Sequence, residues 1–154
     1  MKNKNDELLV QLLQSELTLL KSSMETLLAS SVKCRAIGLK SDYSFEELES
    51  FDSLTSKFSR TSDLFTQKVI RTVWMLLHES FVPFIDMMNM GEKLGILESA
   101  NEMIEIRDMR NQISHEYIPD ALRDLVPDVI EMTQHLIQNI DCCFRFIANR
   151  KWKH

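Results

Sequence analysis

Residues 110 to 117 read RNQISHEY and place an arginine, an asparagine, a histidine and a tyrosine within one short stretch. Cleavage of RNA without a metal ion needs a base that takes the 2′-OH proton and an acid that protonates the leaving 5′ oxygen. Histidine suits both tasks because its ordinary pKa is roughly 6.5. The planar guanidinium of arginine can hold the phosphate and stabilise charge on its oxygens. Arg110 and His115 are therefore the first candidates for catalysis.

The spacing of this pair sets a geometric condition on any joint role. On an ideal helix of about 3.6 residues per turn, a separation of five residues turns Arg110 and His115 apart by about 140°. They can act together only if the helix loosens between them or if a symmetry-related chain completes the site. A twofold homodimer would bring two histidines and two arginines together, and we predict this assembly. Arg107, Asn111 and His115 share one helix face because each is four residues from the next.

A second group of polar residues lies earlier in the chain. Arg60, Lys68 and Arg71 either line a basic cleft that faces the motif or form a solvated face with salt bridges. Asp63 is a further candidate, because its carboxylate can position an arginine. The motif itself has a plain structural explanation, in which His115 ends a solvated helix and is favoured there by the helix dipole.

Length and composition indicate one domain, residues 1–154, with a sizeable core. The chain is 44% apolar and 27% charged, and it has three glycines and three prolines, so we expect long helices with few connections. The start of the chain soon meets Asp6 and Glu7, which is not typical of a signal peptide. No run of about 18 uncharged apolar residues exists, so no membrane span is expected.

The cysteines and the net charge narrow the function further. Cys34, Cys142 and Cys143 are an odd number without paired metal-ligand spacing, so we expect no structural metal, no cofactor and a cytoplasmic location. A net charge of −5 counts against a broad nucleic-acid surface, but it leaves room for a small, locally basic cleft.

Leucine spacing over residues 5–36 predicts a long first helix that ends near Gly38. Apolar periodicity predicts a second long helix from about Phe45 to His78, followed by a short helical piece that begins at Pro83.

The second half of the chain continues the helical pattern. Ser99 and Glu102 form a capping-box pattern, so a third long helix should begin near Ala100 and fade after His115. A short turn of helix follows, and Pro127 opens a last helix to about residue 150. No segment alternates as a strand does. We therefore predict an all-α fold, an up-and-down bundle of four main helices plus short helical pieces.

The stretch EIRDMRNQISHEY resembles the signature of the HEPN superfamily, in which an arginine and a polar residue precede a histidine by a fixed spacing. The tyrosine two residues after the histidine resembles the HepT-like toxins of toxin–antitoxin pairs. Residues 54–73, residues 91–111 and the proline-led last helix resemble members encoded beside a minimal nucleotidyltransferase. The resemblance covers roughly residues 45–150, and the first helix fits by position only.

This resemblance implies a role for each motif residue. Arg110 would hold the phosphate, His115 would transfer protons, and Asn111 would orient them. Tyr117 would be adenylylated by the partner nucleotidyltransferase, and the attached AMP would add a negative phosphate that repels RNA. A further set of residues would line the cleft: Arg107, Arg60, Asp63 and Lys68.

Three functions remain open from the sequence. The first is a metal-independent endoribonuclease toxin, acting on tRNA or mRNA and neutralised by a cognate nucleotidyltransferase antitoxin. The second is a non-catalytic partner that presents a nucleotide or substrate to that enzyme. The third is a structural dimer whose polar stripe is only solvated.

Overall fold

The helices of the computed structural model follow the spacing of apolar residues in the sequence. The model describes residues 4–116 and 119–152, and no strand occurs in these ranges. No described helix has the length and apolar character to cross a membrane. In chain order the elements are α1 (Lys4–Ile37), α2 (Phe45–Asp63), a π-helical segment (Leu64–Val69), α3 (Ile70–Leu76), α4 (Phe84–Leu94), α5 (Ala100–His115), α6 (Pro119–Asp124) and α7 (Val126–Arg150).

The predicted all-α class is confirmed, and the predicted helices are present. The second long helix runs through α2, the π-helical segment and α3 without a break in the chain's helical path, and we call this run the α2–α3 rod. Together with α1, α5 and α7 it makes four long helical runs, whereas α4 and α6 are short. The π-helical segment was not predicted, and it lies beside the candidate site.

The rod packs antiparallel to α1. Four hydrogen-bonded pairs show this direction. Later residues of α1 pair with earlier residues of the rod, beginning with a residue just after the end of α3. The pairs are Asp6 with His78, Glu16 with Thr72, Ser23 with Thr61, and Cys34 with the Ser50 carbonyl. This register fixes which face of the rod is left for α5.

Helix α5 packs between α4 and α7, and it is antiparallel to both. Glu92 of α4 accepts from the backbone N–H of Ala100, and Phe84 at the other end of α4 meets Arg107. On the α7 side, Glu102 pairs with His135. The backbone N–H of Glu98, four residues before Glu102, donates to Asn139, four residues after His135.

One apolar core joins these helices. Its largest fully buried side chains include Trp74, Phe58 and Phe65 on the rod. Each such side chain contributes about 1.5–3 kcal/mol when it leaves water. Methionines such as Met88 and Met103 are fully buried too, in line with the expectation that methionine fills the core. The rod is therefore anchored on its buried side and offers its other side to the cleft.

The ends of α4 and α5 carry local stop and start signals, and one part of the predicted capping box needs correction. Gly95 ends α4 with φ +84°, a left-handed conformation that favours glycine. Ser99 caps α5 by accepting from the Glu102 N–H, as predicted. The reciprocal half of that capping box is wrong, because the Ser99 N–H donates to Asn139 and the Glu102 carboxylate pairs with His135. Two residues of α7 have therefore replaced the predicted local bond between the Glu102 carboxylate and the Ser99 N–H.

Candidate functional site

A cleft of about 640 Å³ opens between the α2–α3 rod and α5. It is lined by the charged and amide residues that the sequence singled out, together with four further residues of the rod, Ser62, Leu64, Thr66 and Gln67. The former are Arg60, Asp63, Lys68, Arg107, Arg110 and Asn111. The structure therefore brings the rod residues and the arginine of the motif to one place, although they are far apart in the chain.

The guanidinium of Arg110 is held along two of its edges. Its Nε donates to Asp63 Oδ1 at 2.9 Å and its Nη2 donates to Asp63 Oδ2 at 2.8 Å, which is a bidentate ion pair. Its Nη1 donates to the Ser114 hydroxyl at 2.7 Å. A guanidinium has five N–H groups, so these three bonds leave two for a ligand. The orientation of Arg110 is fixed before any ligand arrives.

The same carboxylate keeps Arg110 charged. The hydrogen bonds to Asp63 raise the pKa of the Arg110 guanidinium above its ordinary value, and the attraction between the two charges adds to this effect. The side chain of Arg110 is one third exposed, at 33%, so the cation is reachable from solvent. Arg110 thus offers a permanent, oriented positive charge to the cleft.

The π-helical segment shapes the rod side of the cleft. It begins directly after Asp63, and its last bond runs from the Ile70 N–H to the Phe65 carbonyl, five residues back. The Thr66 hydroxyl donates to the Ser62 carbonyl at 2.9 Å, which ties the segment to the last turn of α2. π-helical turns are rare in proteins overall. Where they do occur, they are often found at functional sites.

The cleft is locally positive in an acidic chain. Arg60, Lys68, Arg107 and Arg110 face one lining carboxylate, that of Asp63, whereas the whole chain has a net charge of −5. Such a lining attracts anions, and phosphate groups above all. The cleft is thus a small, locally basic site of the kind that the sequence allowed despite the acidic net charge of the chain.

Arg107 supports the cleft from the α4 side. Its guanidinium lies over the Phe84 ring, 4.5 Å from the centroid, in a cation–π contact. Its Nε is buried and has no hydrogen-bond partner among residues 4–116 and 119–152. Its Nη2 lies 3.6 Å from the carboxylate oxygen Oδ1 of the neighbouring Asp108. Arg107 is thus held by packing more than by hydrogen bonds.

His115 stands apart from this cleft within one chain. Helix α5 runs unbroken to His115, so of the two alternatives for a joint role the one in which the helix loosens between Arg110 and His115 does not occur. His115 is exposed as the last helical residue, and it is not among the residues that line the cleft, whereas Asn111 is. Tyr117 lies outside the described residues. A single chain therefore assembles the arginine half of the motif without the histidine half.

Sequence reasoning missed several residues of the site. Ser114, which holds Nη1 of Arg110, had a usable signal because it lies one helical turn after the arginine. Thr66 and Gln67 had none, since nothing in the sequence marked the π-helical segment. Arg71, considered with Arg60 and Lys68, does not line the cleft.

No metal centre accompanies the cleft in the part of the chain that the structure describes. Groups of three or more histidine, cysteine or acidic side chains close enough to hold an ion are absent from residues 4–116 and 119–152. The three cysteines are free, and burial raises the pKa of the Cys143 thiol to about 12. The cations that line the cleft favour anions as its ligands.

Comparisons with known proteins give no match. A scan against protein-family models finds no family for this chain. Searches among curated proteins and among solved structures find no match either.

Proposed function

We propose that this chain is a metal-independent endoribonuclease of the HEPN type, a toxin that cuts RNA such as tRNA or mRNA. Its activity would be neutralised by a cognate nucleotidyltransferase antitoxin. The observation that supports this most is the Arg110 guanidinium, which Asp63 fixes bidentately in a cleft with three further cations. A preoriented cation stabilises charge that builds on a phosphate without reorganisation at the moment of reaction.

In this proposal each cleft residue has a task that its geometry allows. The two remaining N–H groups of Arg110 donate to the non-bridging oxygens of the scissile phosphate. Arg60 and Lys68 are exposed on the rod, where they can meet neighbouring phosphates of the strand. Asn111 is exposed on α5 one position after Arg110, and its amide can hold a ribose or phosphate oxygen.

Proton transfer needs a second chain in this proposal. A twofold homodimer with the motif helices near the axis would place His115 of two chains at one phosphate, one as base and one as acid. Sedimentation at micromolar concentration should therefore give a dimer for the wild type. A strict monomer at that concentration would remove the two-histidine site.

Tyr117→Phe should separate cleavage from neutralisation. Without a phenol there is no oxygen to adenylylate, so this variant should still cleave RNA yet arrest growth when the nucleotidyltransferase is co-expressed. Tyr43→Phe is the matched control, because the chain has two tyrosines, and it should stay neutralised. Intact mass measurement after co-expression should show the added AMP on wild type and on Tyr43→Phe. Full neutralisation of Tyr117→Phe would contradict modification at this residue.

One observation favours a second candidate, a non-catalytic nucleotide- or substrate-binding partner of a nucleotidyltransferase. The cleft with its cations is complete in one chain, and His115 is not part of it. A binding module would bind nucleotide as a monomer or dimer and would never cleave. Expression in growing cells separates the two, because only the ribonuclease should arrest growth and lose that effect when Arg110 or His115 is replaced.

A further inference from the structure

A second cavity of about 250 Å³ lies between the end of α1, the start of α2 and the junction of α6 with α7. We call it the apolar pocket. Its walls include Leu39, Phe51, Val126 and Ile130, and two arginines, Arg35 and Arg123, belong to its lining as well. It shares no residue with the cleft described above. Its chemistry is therefore a separate question from RNA cleavage.

The wall formed by residues 38–44 is fixed without a ligand. The Lys40 N–H donates to the Tyr43 hydroxyl at 2.9 Å, and the Tyr43 ring meets the Phe51 ring edge-on with centroids 5.0 Å apart. At the end of this stretch, Ser44 forms a complete capping box with Glu47 at the start of α2. A preformed wall lowers the cost of ordering the pocket when a ligand binds.

The charges of the pocket have one sign. Among the residues that the structure describes, Arg35 and Arg123 line it and no acidic residue does. The Arg123 guanidinium lies over the Tyr43 ring at 5.4 Å. Its Nη1 is 3.9 Å from Asp120, whose side chain is 82% exposed, so that contact is long and solvated and contributes little. The guanidinium of Arg123 is thus available to a stronger acceptor.

The interior of the pocket is uncharged. Cys34 lies in its wall and is buried, and its thiol donates to the Ser50 carbonyl at 3.3 Å. Burial raises the pKa of this thiol, so it is a neutral, weakly polar surface at ordinary pH. The pocket therefore combines an apolar body with two cations, and the contact of Arg123 with Asp120 is long and solvated.

The size of the pocket limits its ligand. Pockets for drug-sized ligands begin at about 300 Å³. The apolar pocket is a little smaller than this, so it suits a small ligand.

We propose that the apolar pocket binds a small carboxylate with an apolar body, such as a medium-chain fatty acid or a small aromatic acid. The apolar body lies against Phe51, Val126 and Ile130, and the carboxylate accepts hydrogen bonds from Arg123 and Arg35. The ligand then joins the end of α1 to α6, two elements that the pocket separates. This site does not depend on the proposed ribonuclease activity.

Binding of octanoate to the full chain tests this, with 1-octanol as the uncharged counterpart of equal length. Calorimetry should show one saturable octanoate site, and the Tm should rise because the ligand binds the native state. Octanol should bind at least about tenfold more weakly, since it lacks a charge-assisted hydrogen bond to arginine. Phenylacetate in place of octanoate distinguishes an aromatic from a linear body, and tighter binding of either supports the site.

Variants locate the site and control for general electrostatics. Arg123→Ala should reduce octanoate affinity about tenfold and leave octanol binding unchanged. Ile130→Trp should fill the cavity and weaken both ligands. Arg145→Ala removes an exposed cation of α7 outside the pocket and should change neither affinity. Circular dichroism checks that each variant is folded.

Three results would overturn the proposal. Octanoate and phenylacetate that show no saturable binding up to millimolar concentration would remove the site. Octanol that binds as tightly as octanoate would remove the role of the arginines. An Arg145→Ala variant that weakens octanoate as much as Arg123→Ala does would mean that the anion responds to surface charge in general.

Discussion

Arg110→Lys should lower RNA cleavage by about 10²–10³-fold, the range found when one preoriented donor to a developing negative charge is lost. An ammonium keeps the charge of Arg110 but cannot make the two parallel bonds to Asp63 and the bond to Ser114 while it also faces a phosphate. The measurement is the initial rate of cleavage of a labelled RNA by purified protein.

Arg145→Lys is the matched control, because it makes the same chemical change at an exposed site outside the cleft, and its rate should equal that of wild type. Asp63→Asn keeps the shape of the partner and removes its charge, so it should reduce the rate less than Arg110→Lys does. The Arg110–Asp63 pair is partly exposed and contributes at most about 1 kcal/mol to stability, so these variants should remain folded. A wild-type rate in Arg110→Lys would show that this guanidinium takes no part in cleavage.

His115→Ala should lower the same rate by roughly 10²–10⁴-fold, the usual contribution of a positioned acid or base. The residue is exposed at the last position of α5, so its removal should leave the thermal unfolding curve nearly unchanged. Loss of rate without loss of stability is the signature of a chemical role.

His78→Asn is the control for this histidine. His78 is exposed and has φ +58°, a left-handed conformation that asparagine tolerates, and it meets Asp6 far from the motif along the chain. Its replacement should leave cleavage at the wild-type rate. If His115→Ala also cleaves at that rate while wild type is active, then the protons are transferred by other groups, and the motif does not form the active site.

The helices of this protein could be predicted because their signals are local. Leucine spacing marked α1, the pair Ser99 and Glu102 marked the start of α5, and Pro127 marked the start of α7. The π-helical segment could not be predicted, because residues 64–69 contain no glycine or proline and read as ordinary helix. Its wider turn is a property of how the rod packs, which a local pattern does not contain.

The sequence predicted which residues belong to the site better than it predicted the contacts between them. Asp63 and Arg110 are 47 residues apart, so their ion pair depends on how α5 packs on the rod. The sequence could offer Asp63 only as one candidate. Helical period did predict that Arg110 and His115 diverge, and the unbroken α5 agrees with this. How two chains meet is not a property of one chain's local sequence, so the homodimer remains a prediction.

The chemistry of the RNA ends tests the central claim most directly. Purified wild-type protein is incubated with a tRNA-rich pool in excess EDTA, and the products are analysed for their termini. Attack by the 2′-OH, with His115 and Arg110 as the acting groups, should leave a 2′,3′-cyclic phosphate and a 5′-hydroxyl, at a rate that EDTA does not change. Termini with a 5′-phosphate, or cleavage that EDTA abolishes, would contradict a metal-independent ribonuclease.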